Sequence, residues 1–147
     1  MDDVYLGNPL LKKANVAQEF TQEQILEFMA CKQDPVYFAK QHVKIVSLDE
    51  GLVPFKPYDF QERLIENFHA NRFNICKMPR QTGKSTTSVS YLLHYAVFND
   101  NVNIGILANK AATARDLLGR LQTAYENLPK WMQQGIISWN KGSLELE

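Results

Sequence analysis

The chain has 147 residues, of which 45% are hydrophobic and 22% charged, a composition typical of a globular protein rather than a disordered one. The 16 Lys and Arg side chains equal the 16 Asp and Glu side chains, so the net charge gives no chain-wide attraction for nucleic acid. No apolar run approaches the roughly 20 residues of a membrane span, and the N-terminus lacks the basic and apolar segments of a secretion signal. We therefore expect a cytosolic protein without a membrane partner.

Cysteine and histidine positions indicate neither a disulfide framework nor a metal centre. Cys31 and Cys76 are far apart and share no C-x-x-C spacing. Both are predicted to be buried thiols in a reducing compartment. The three histidines, His42, His69 and His94, are scattered along the chain and suggest no shared ligand set.

Predicted secondary structure begins after an irregular N-terminal arm over residues 1–20. Thr21 opens a helix, and Gln24 three residues later matches a capping box. Asp34 is the predicted N-cap of a second helix, with Pro35 at its first position. The later segments are predicted, in chain order, as strands 43–48 and 52–55, a helix capped by Asp59, strand 73–78, helix 84–97, strand 102–107, helix 111–127, and strands 136–139 and 143–146.

Strands and helices alternate in the order that is typical of a parallel α/β fold. We expect a P-loop NTPase-type three-layer sandwich with a mostly parallel sheet, preceded by an N-terminal helical segment. Because the chain stops in an apparent strand with no polar tail, residues 21–147 are expected to be the incomplete, N-terminal part of that ATPase domain.

Residues 78–86, Met-Pro-Arg-Gln-Thr-Gly-Lys-Ser-Thr, resemble the phosphate-binding pattern G-x-x-x-x-G-K-[ST]. Met78 stands where the first glycine is expected. Gly83 allows the backbone to approach a phosphate, and the following helix N-terminus adds its positive dipole end. Lys84 can reach the β- and γ-phosphates, and the Ser85 hydroxyl can bind Mg²⁺. The alternative is an ordinary loop with a serine near a helix start.

Arg80 is a second cation within the loop. Its planar guanidinium could hold a γ-phosphate through two hydrogen bonds. The alternative is a surface salt bridge.

Three side chains about twenty residues before the loop, Tyr58, Phe60 and Gln61, are candidates for an adenine site. The Gln61 amide can both donate to and accept from the adenine edge, and an aromatic neighbour can stack on the ring. The alternative is a polar helix surface with Phe60 in the core.

Two further charged groups have competing interpretations. Asp49-Glu50 follows an apolar stretch, as in the acidic motif that binds Mg²⁺, but it precedes the phosphate loop and is better explained as a hairpin turn. No apolar strand ending in Asp-Glu follows the loop. Lys110, Arg115 and Arg120 could face DNA phosphates, or could form a solvated helix face.

Several of these segments together resemble the large terminase subunit of tailed bacteriophages, especially those with contractile tails. They are Tyr58-Asp59-Phe60-Gln61, the loop Arg80-Gln81-Thr82-Gly83-Lys84-Ser85-Thr86, the stretch Asn-Ile-Gly-Ile-Leu-Ala at 103–108, and the region from Leu128-Pro129 to Trp139-Asn140-Lys141-Gly142-Ser143. The likeness extends from about Asp34 to the end of the chain. That family tolerates loss of the first loop glycine, whereas Pro79 departs from its usual small polar residue.

The resemblance implies an ATPase that drives double-stranded DNA into a preformed capsid, joined to a separate metal-dependent nuclease domain. Its implied partners are DNA, a portal protein and a small terminase subunit, in a ring assembled on the portal in the host cell cytoplasm. ATP and Mg²⁺ are the implied cofactors, with Arg80 and Lys84 as catalytic residues and Ser85 as the Mg²⁺ ligand. The implied nucleotide-binding set is Tyr58, Phe60, Gln61, Pro79, Arg80, Gln81, Thr82, Gly83, Lys84, Ser85 and Thr86.

Two other functions stay open at this point. A helicase-like DNA translocase shares the glutamine, the phosphate loop and the helix. A non-enzymatic nucleotide-binding or assembly module requires only the loop. The acidic ATPase motif and the nuclease carboxylates are absent from the 147 residues, so poor hydrolysis is expected from this chain alone.

Overall fold

A computed structural model of the chain describes residues 3–147, so the first two residues of the expected arm lie outside it. The described part contains five α-helices and three two-stranded antiparallel sheets. The helices are α1 (Gln22–Gln33), α2 (Pro35–His42), α3 (Asp59–Ala70), α4 (Lys84–Phe98) and α5 (Ala111–Glu126). The sheets pair β1 (Val4–Tyr5) with β2 (Asn8–Lys12), β3 (Lys44–Ser47) with β4 (Gly51–Pro54), and β5 (Ile136–Trp139) with β6 (Leu144–Leu146).

The first two helices begin where their caps predict. Thr21 and Gln24 form a reciprocal capping box, with each side chain bonded to the other residue's backbone N–H. Asp34 Oδ1 accepts from Val36 N at 2.9 Å and from Tyr37 N at 3.0 Å, and Pro35 occupies the first turn of α2. These contacts satisfy backbone donors that no helix can satisfy internally.

Helix α4 lies at the centre of the packing and contacts α2, α3 and α5. Its buried face carries Leu93, Val97 and Phe98. The fully buried Phe38 ring of α2 lies 5.2 Å from the Phe98 ring and 5.5 Å from that of His94, both edge-on. Such edge-to-face pairs add to the free energy gained by burying the rings.

His94 joins α4 to α1 inside this core. Its Nε2 donates to the carbonyl oxygen of Cys31 at 2.9 Å, while its Nδ1 is buried without a partner among the described residues. Burial lowers the pKa of His94, because a charged ring would lose its hydration.

The two terminal hairpins pack together around Gln133. The Gln133 Oε1 accepts from Lys12 N at 3.0 Å, and Nε2 donates to Leu10 O at 2.9 Å. A Cβ added to Gly135 would lie 2.4 Å from Ala14 Cα, so the close approach of the two hairpins requires glycine there.

The expectation of a P-loop three-layer sandwich is wrong. The three sheets are each two-stranded and antiparallel, and no extended parallel sheet exists among residues 3–147. Neither predicted central strand, 73–78 or 102–107, forms a ladder in the structure. Their apolar side chains are largely open to solvent, with Phe73, Ile75 and Leu107 exposed by 83, 100 and 93%.

The physical reason is that parallel strands are stabilised by neighbours rather than by their own sequence. A parallel sheet needs strands on both sides and helices on both faces, and a lone pair of strands is marginal in water. The apolar pattern of these two segments indicated buried strands. In the described residues, however, no neighbouring strand forms hydrogen bonds with either segment.

Two smaller expectations also need correction. The arm over residues 1–20 contains the β1–β2 hairpin and is not wholly irregular. Cys76 is exposed, whereas Cys31 is buried as predicted. In the described part of the chain, no helix combines the length and apolarity needed to cross a bilayer.

Candidate functional site

The loop over residues 78–83 leads directly into the N-terminus of α4. Gly83 is the N-cap and has a left-handed backbone with φ of 72°. It provides no capping side chain, and the first turn of α4 holds no acidic residue. The N–H groups of that turn have no intrahelical acceptors, and the helix dipole adds positive potential at the same point. This end of a 15-residue helix is therefore suited to an anion.

Two contacts fold the loop back on itself. The Lys84 Nζ donates to the carbonyl oxygen of Met78 at 2.9 Å, and Thr82 Oγ1 donates to Pro79 O at 3.0 Å. Gln81 is also left-handed, with φ of 59°, while Thr82 between the two left-handed residues is not. Alternation of left- and right-handed residues is the backbone pattern of anion-binding nests. The ammonium group predicted to hold phosphate is thus bonded to the backbone of Met78, at the start of the loop.

Gln61 couples helix α3 to the loop. Its side chain is buried, with Oε1 accepting from Tyr58 N at 2.9 Å and Nε2 donating to Thr82 O at 3.2 Å. The interpretation of Gln61 as a polar surface residue is therefore wrong. The first bond completes the N-terminal cap of α3, and the second fixes the loop carbonyl before Gly83.

Gly83 is required for a steric reason as well as for its backbone conformation. A Cβ at this position would lie 2.4 Å from Gln61 Nε2, on a backbone that L side chains rarely adopt. Any larger residue must break the Gln61–Thr82 bond or change the helix start.

Tyr58 and Phe60 form an exposed aromatic pair beside Gln61. Their ring centroids are 5.8 Å apart with an interplanar angle of 12°, and their side chains are exposed by 69 and 39%. Phe60 is thus not a core residue. A base could stack on this pair, because flat exposed rings offer such a surface. Adenine recognition by these residues stays a prediction.

The other predicted loop residues lie at the surface. Pro79, Arg80, Gln81 and Ser85 are exposed, and Thr86 is half-buried. Within residues 3–147 the Arg80 guanidinium makes no ion pair or hydrogen bond, so the salt-bridge alternative has no support. Arg80, Lys84 and the helix end therefore concentrate positive charge on one short segment.

No carboxylate pairs with this segment among the described residues. Asp49 and Glu50 occupy the exposed turn of the β3–β4 hairpin, where Ser47 pairs with Gly51, so the hairpin interpretation is confirmed. Because Asp49 and Glu50 belong to that turn, Ser85 is the one predicted Mg²⁺ ligand in residues 78–86. Further ligands to such an ion would come from phosphate oxygens and water.

Lys110, Arg115 and Arg120 are all exposed, as both the DNA-facing and the solvated-face interpretations require. Arg120 Nε pairs with Asp116 Oδ2 at 3.2 Å, and Arg115 Nε donates to Ala111 O at 3.4 Å. An open cleft of about 660 Å³ is lined by residues 99–104 and by α5 and β6. None of residues 78–86 lines this cleft, so the candidate phosphate site lies outside it.

No protein-family model matches the chain. Support for the candidate site therefore comes from its geometry alone. Sequence reasoning identified the loop residues but missed the role of Gln61 as a loop-positioning residue. The signal for it was the spacing Tyr58-x-x-Gln61, which has the three-residue separation of a capping box.

Replacing Gly83 with alanine should destabilise the chain by about 1–2 kcal/mol or more, because alanine suffers both the left-handed strain and the contact with Gln61. Gly119→Ala is the matched control. Gly119 lies inside α5 with nothing within 4 Å of an added Cβ, so alanine should stabilise by up to about 1 kcal/mol. Urea unfolding of both variants measures the difference. Equal midpoints for Gly83→Ala and the unmodified chain would contradict the assigned loop geometry.

Proposed function

We propose that the chain binds the phosphates of ATP at the loop 78–86 and is the ATP-binding part of a viral DNA-packaging motor, a large terminase subunit. The observation that carries this proposal is the start of α4. There an uncapped helix end, a left-handed glycine and a folded-back lysine occur together. The motif Arg80-Gln81-Thr82-Gly83-Lys84-Ser85 connects that geometry to the terminase resemblance.

The remaining parts of the proposal follow from the same resemblance. ATP would bind with Mg²⁺, with Lys84 and Arg80 on the terminal phosphates and Ser85 on the metal. The motor would act on double-stranded DNA in the host cytoplasm, together with a portal protein and a small terminase subunit. A helicase-like translocase is the alternative with the same loop.

A nucleotide-binding module without catalysis is favoured by one observation. None of the carboxylates among residues 3–147 bonds to the loop, whereas hydrolysis requires acidic groups to organise Mg²⁺ and water. Binding and turnover must therefore be measured separately.

Lys84→Ala should weaken ATP binding roughly ten- to hundredfold, the loss expected for one charge-assisted contact of about 1.5–3 kcal/mol. Lys141→Ala is the matched control, since Lys141 is exposed in the β5–β6 turn and should leave affinity unchanged. Titration calorimetry with ATP and Mg²⁺ on both variants gives the comparison. Equal affinity for the two variants would remove the loop from the proposed site.

The 147-residue chain should release phosphate from ATP at no more than a background rate. Among residues 3–147 no carboxylate pairs with the loop, so these residues place neither a general base nor a second Mg²⁺ ligand there. Phosphate release is measured with and without duplex DNA. Robust turnover that Lys84→Ala abolishes would contradict this expectation. Asp49 and Glu50 would then become candidates for the catalytic carboxylates.

Gln61→Ala should weaken ATP more than GTP. Loss of the Thr82 contact loosens the loop for both nucleotides, and loss of the amide removes an additional contact only for adenine. Competition binding with the two nucleotides measures the ratio. An equal loss for both would show that Gln61 positions the loop without reading the base.

A further inference from the structure

A cluster of three different potential metal ligands lies away from the phosphate loop, where α1 meets the end of α2. Glu27 and Cys31 are four residues apart on α1, so their side chains share one face of the helix. His42 is the last residue of α2. The Glu27 carboxylate oxygen, the Cys31 sulfur and a His42 ring nitrogen all lie within 4.8 Å of one another.

Two of the three distances between these atoms can be compared with those of a tetrahedral site, and the third, between the Cys31 sulfur and the His42 ring nitrogen, is at most 4.8 Å. Glu27 Oε1 lies 3.6 Å from Cys31 Sγ and 2.8 Å from His42 Nε2. Zinc bonds of about 2.0–2.3 Å at tetrahedral angles place ligand atoms roughly 3.3–3.7 Å apart. The sulfur–oxygen distance already lies in this range. The nitrogen–oxygen distance must increase by about half an ångström before both atoms can bind one zinc ion.

The donor types also match one class of ion. Thiolate, imidazole and carboxylate are the three side-chain ligands that Zn²⁺ uses, whereas Mg²⁺ and Ca²⁺ prefer oxygen alone. A thiolate and a carboxylate together would neutralise the charge of one divalent cation. Charge neutrality is important here because Cys31 is fully buried. The Glu27 side chain is 30% exposed, so an ion can reach the cluster from solvent.

Surrounding groups hold the ligands in place. Tyr37 Oη donates to the second carboxylate oxygen, Glu27 Oε2, at 3.0 Å. The His42 ring lies 6.3 Å from that of Trp131, edge-on, and 6.2 Å from that of Phe38. Hydrogen bonds and packing of this kind orient metal ligands and raise metal affinity.

We propose that Glu27, Cys31 and His42 bind Zn²⁺, with water as the fourth ligand. The site joins α1 to the end of α2. It is independent of the proposed ATP binding, and each can fail without the other.

The experiment exploits the fact that the chain has only two cysteines. In the full chain carrying Cys76→Ser, Cys31 is the sole thiol, so any thiolate–metal signal must come from it. We expect Co²⁺ to produce a thiolate-to-cobalt charge-transfer band that saturates at one equivalent and disappears when Zn²⁺ is added. Mg²⁺ should leave the band unchanged, because it has little affinity for sulfur.

Ligand variants in the Cys76→Ser background complete the test. Glu27→Gln and His42→Gln should each weaken Zn²⁺ binding at least tenfold, and Cys31→Ser should abolish the cobalt band. His69→Gln is the matched control, because His69 is exposed and lies outside the cluster. Circular dichroism establishes that each variant folds.

Two results would overturn the proposal. One is the absence of a cobalt band in the Cys76→Ser chain, which keeps all three ligands and requires no core substitution. The other is equal Zn²⁺ affinity in the His42→Gln and His69→Gln variants. Either result would leave the cluster as a hydrogen-bonded network centred on Glu27.

Discussion

Burial of one face of α4 is the constraint on which the candidate site depends. The helix begins Lys-Ser-Thr-Thr-Ser, a run of polar and β-branched residues with modest helix propensity, so packing against α2, α3 and α5 must supply much of its stability. That packing buries Leu93, Val97 and Phe98 and thereby fixes the axis of the helix. The N-terminus stays at the surface with its backbone donors free, which is the condition for holding an anion.

Gln61 transmits the position of α3 to the loop through one amide group. Its oxygen completes the helix cap at Tyr58 and its nitrogen fixes the Thr82 carbonyl, so the two structures are energetically linked. A side-chain amide has two donor hydrogens and two lone pairs. Each atom therefore retains one further hydrogen-bonding position, but the side chain is buried, so a base could reach it only if the loop or α3 moved.

Local signals were sufficient to predict individual helices and turns, but not the sheet topology, for which the prediction was wrong. The caps at Thr21 and Asp34, and the β3–β4 turn at Gly51, depend on residues a few positions apart, and all are present in the structure. The strands expected at 73–78 and 102–107 depend on distant partners, which apolar pattern alone does not reveal. The Gln61–Thr82 bond and the approach of His42 to Glu27 were missed for the same reason, since helix packing creates both.

The two proposed sites differ in the ions they can hold. At the loop, the cations Arg80 and Lys84 have no carboxylate partner within residues 3–147. A bound phosphate would supply both the negative charge and hard oxygen ligands for Mg²⁺. At the α1–α2 cluster the protein supplies the negative charge and the soft sulfur ligand, and requires a cation. The hydrogen bond from His94 to the Cys31 carbonyl connects that cluster to α4. Zinc at the cluster would therefore brace the helix that follows the loop 78–83, at a distance from the proposed ATP site.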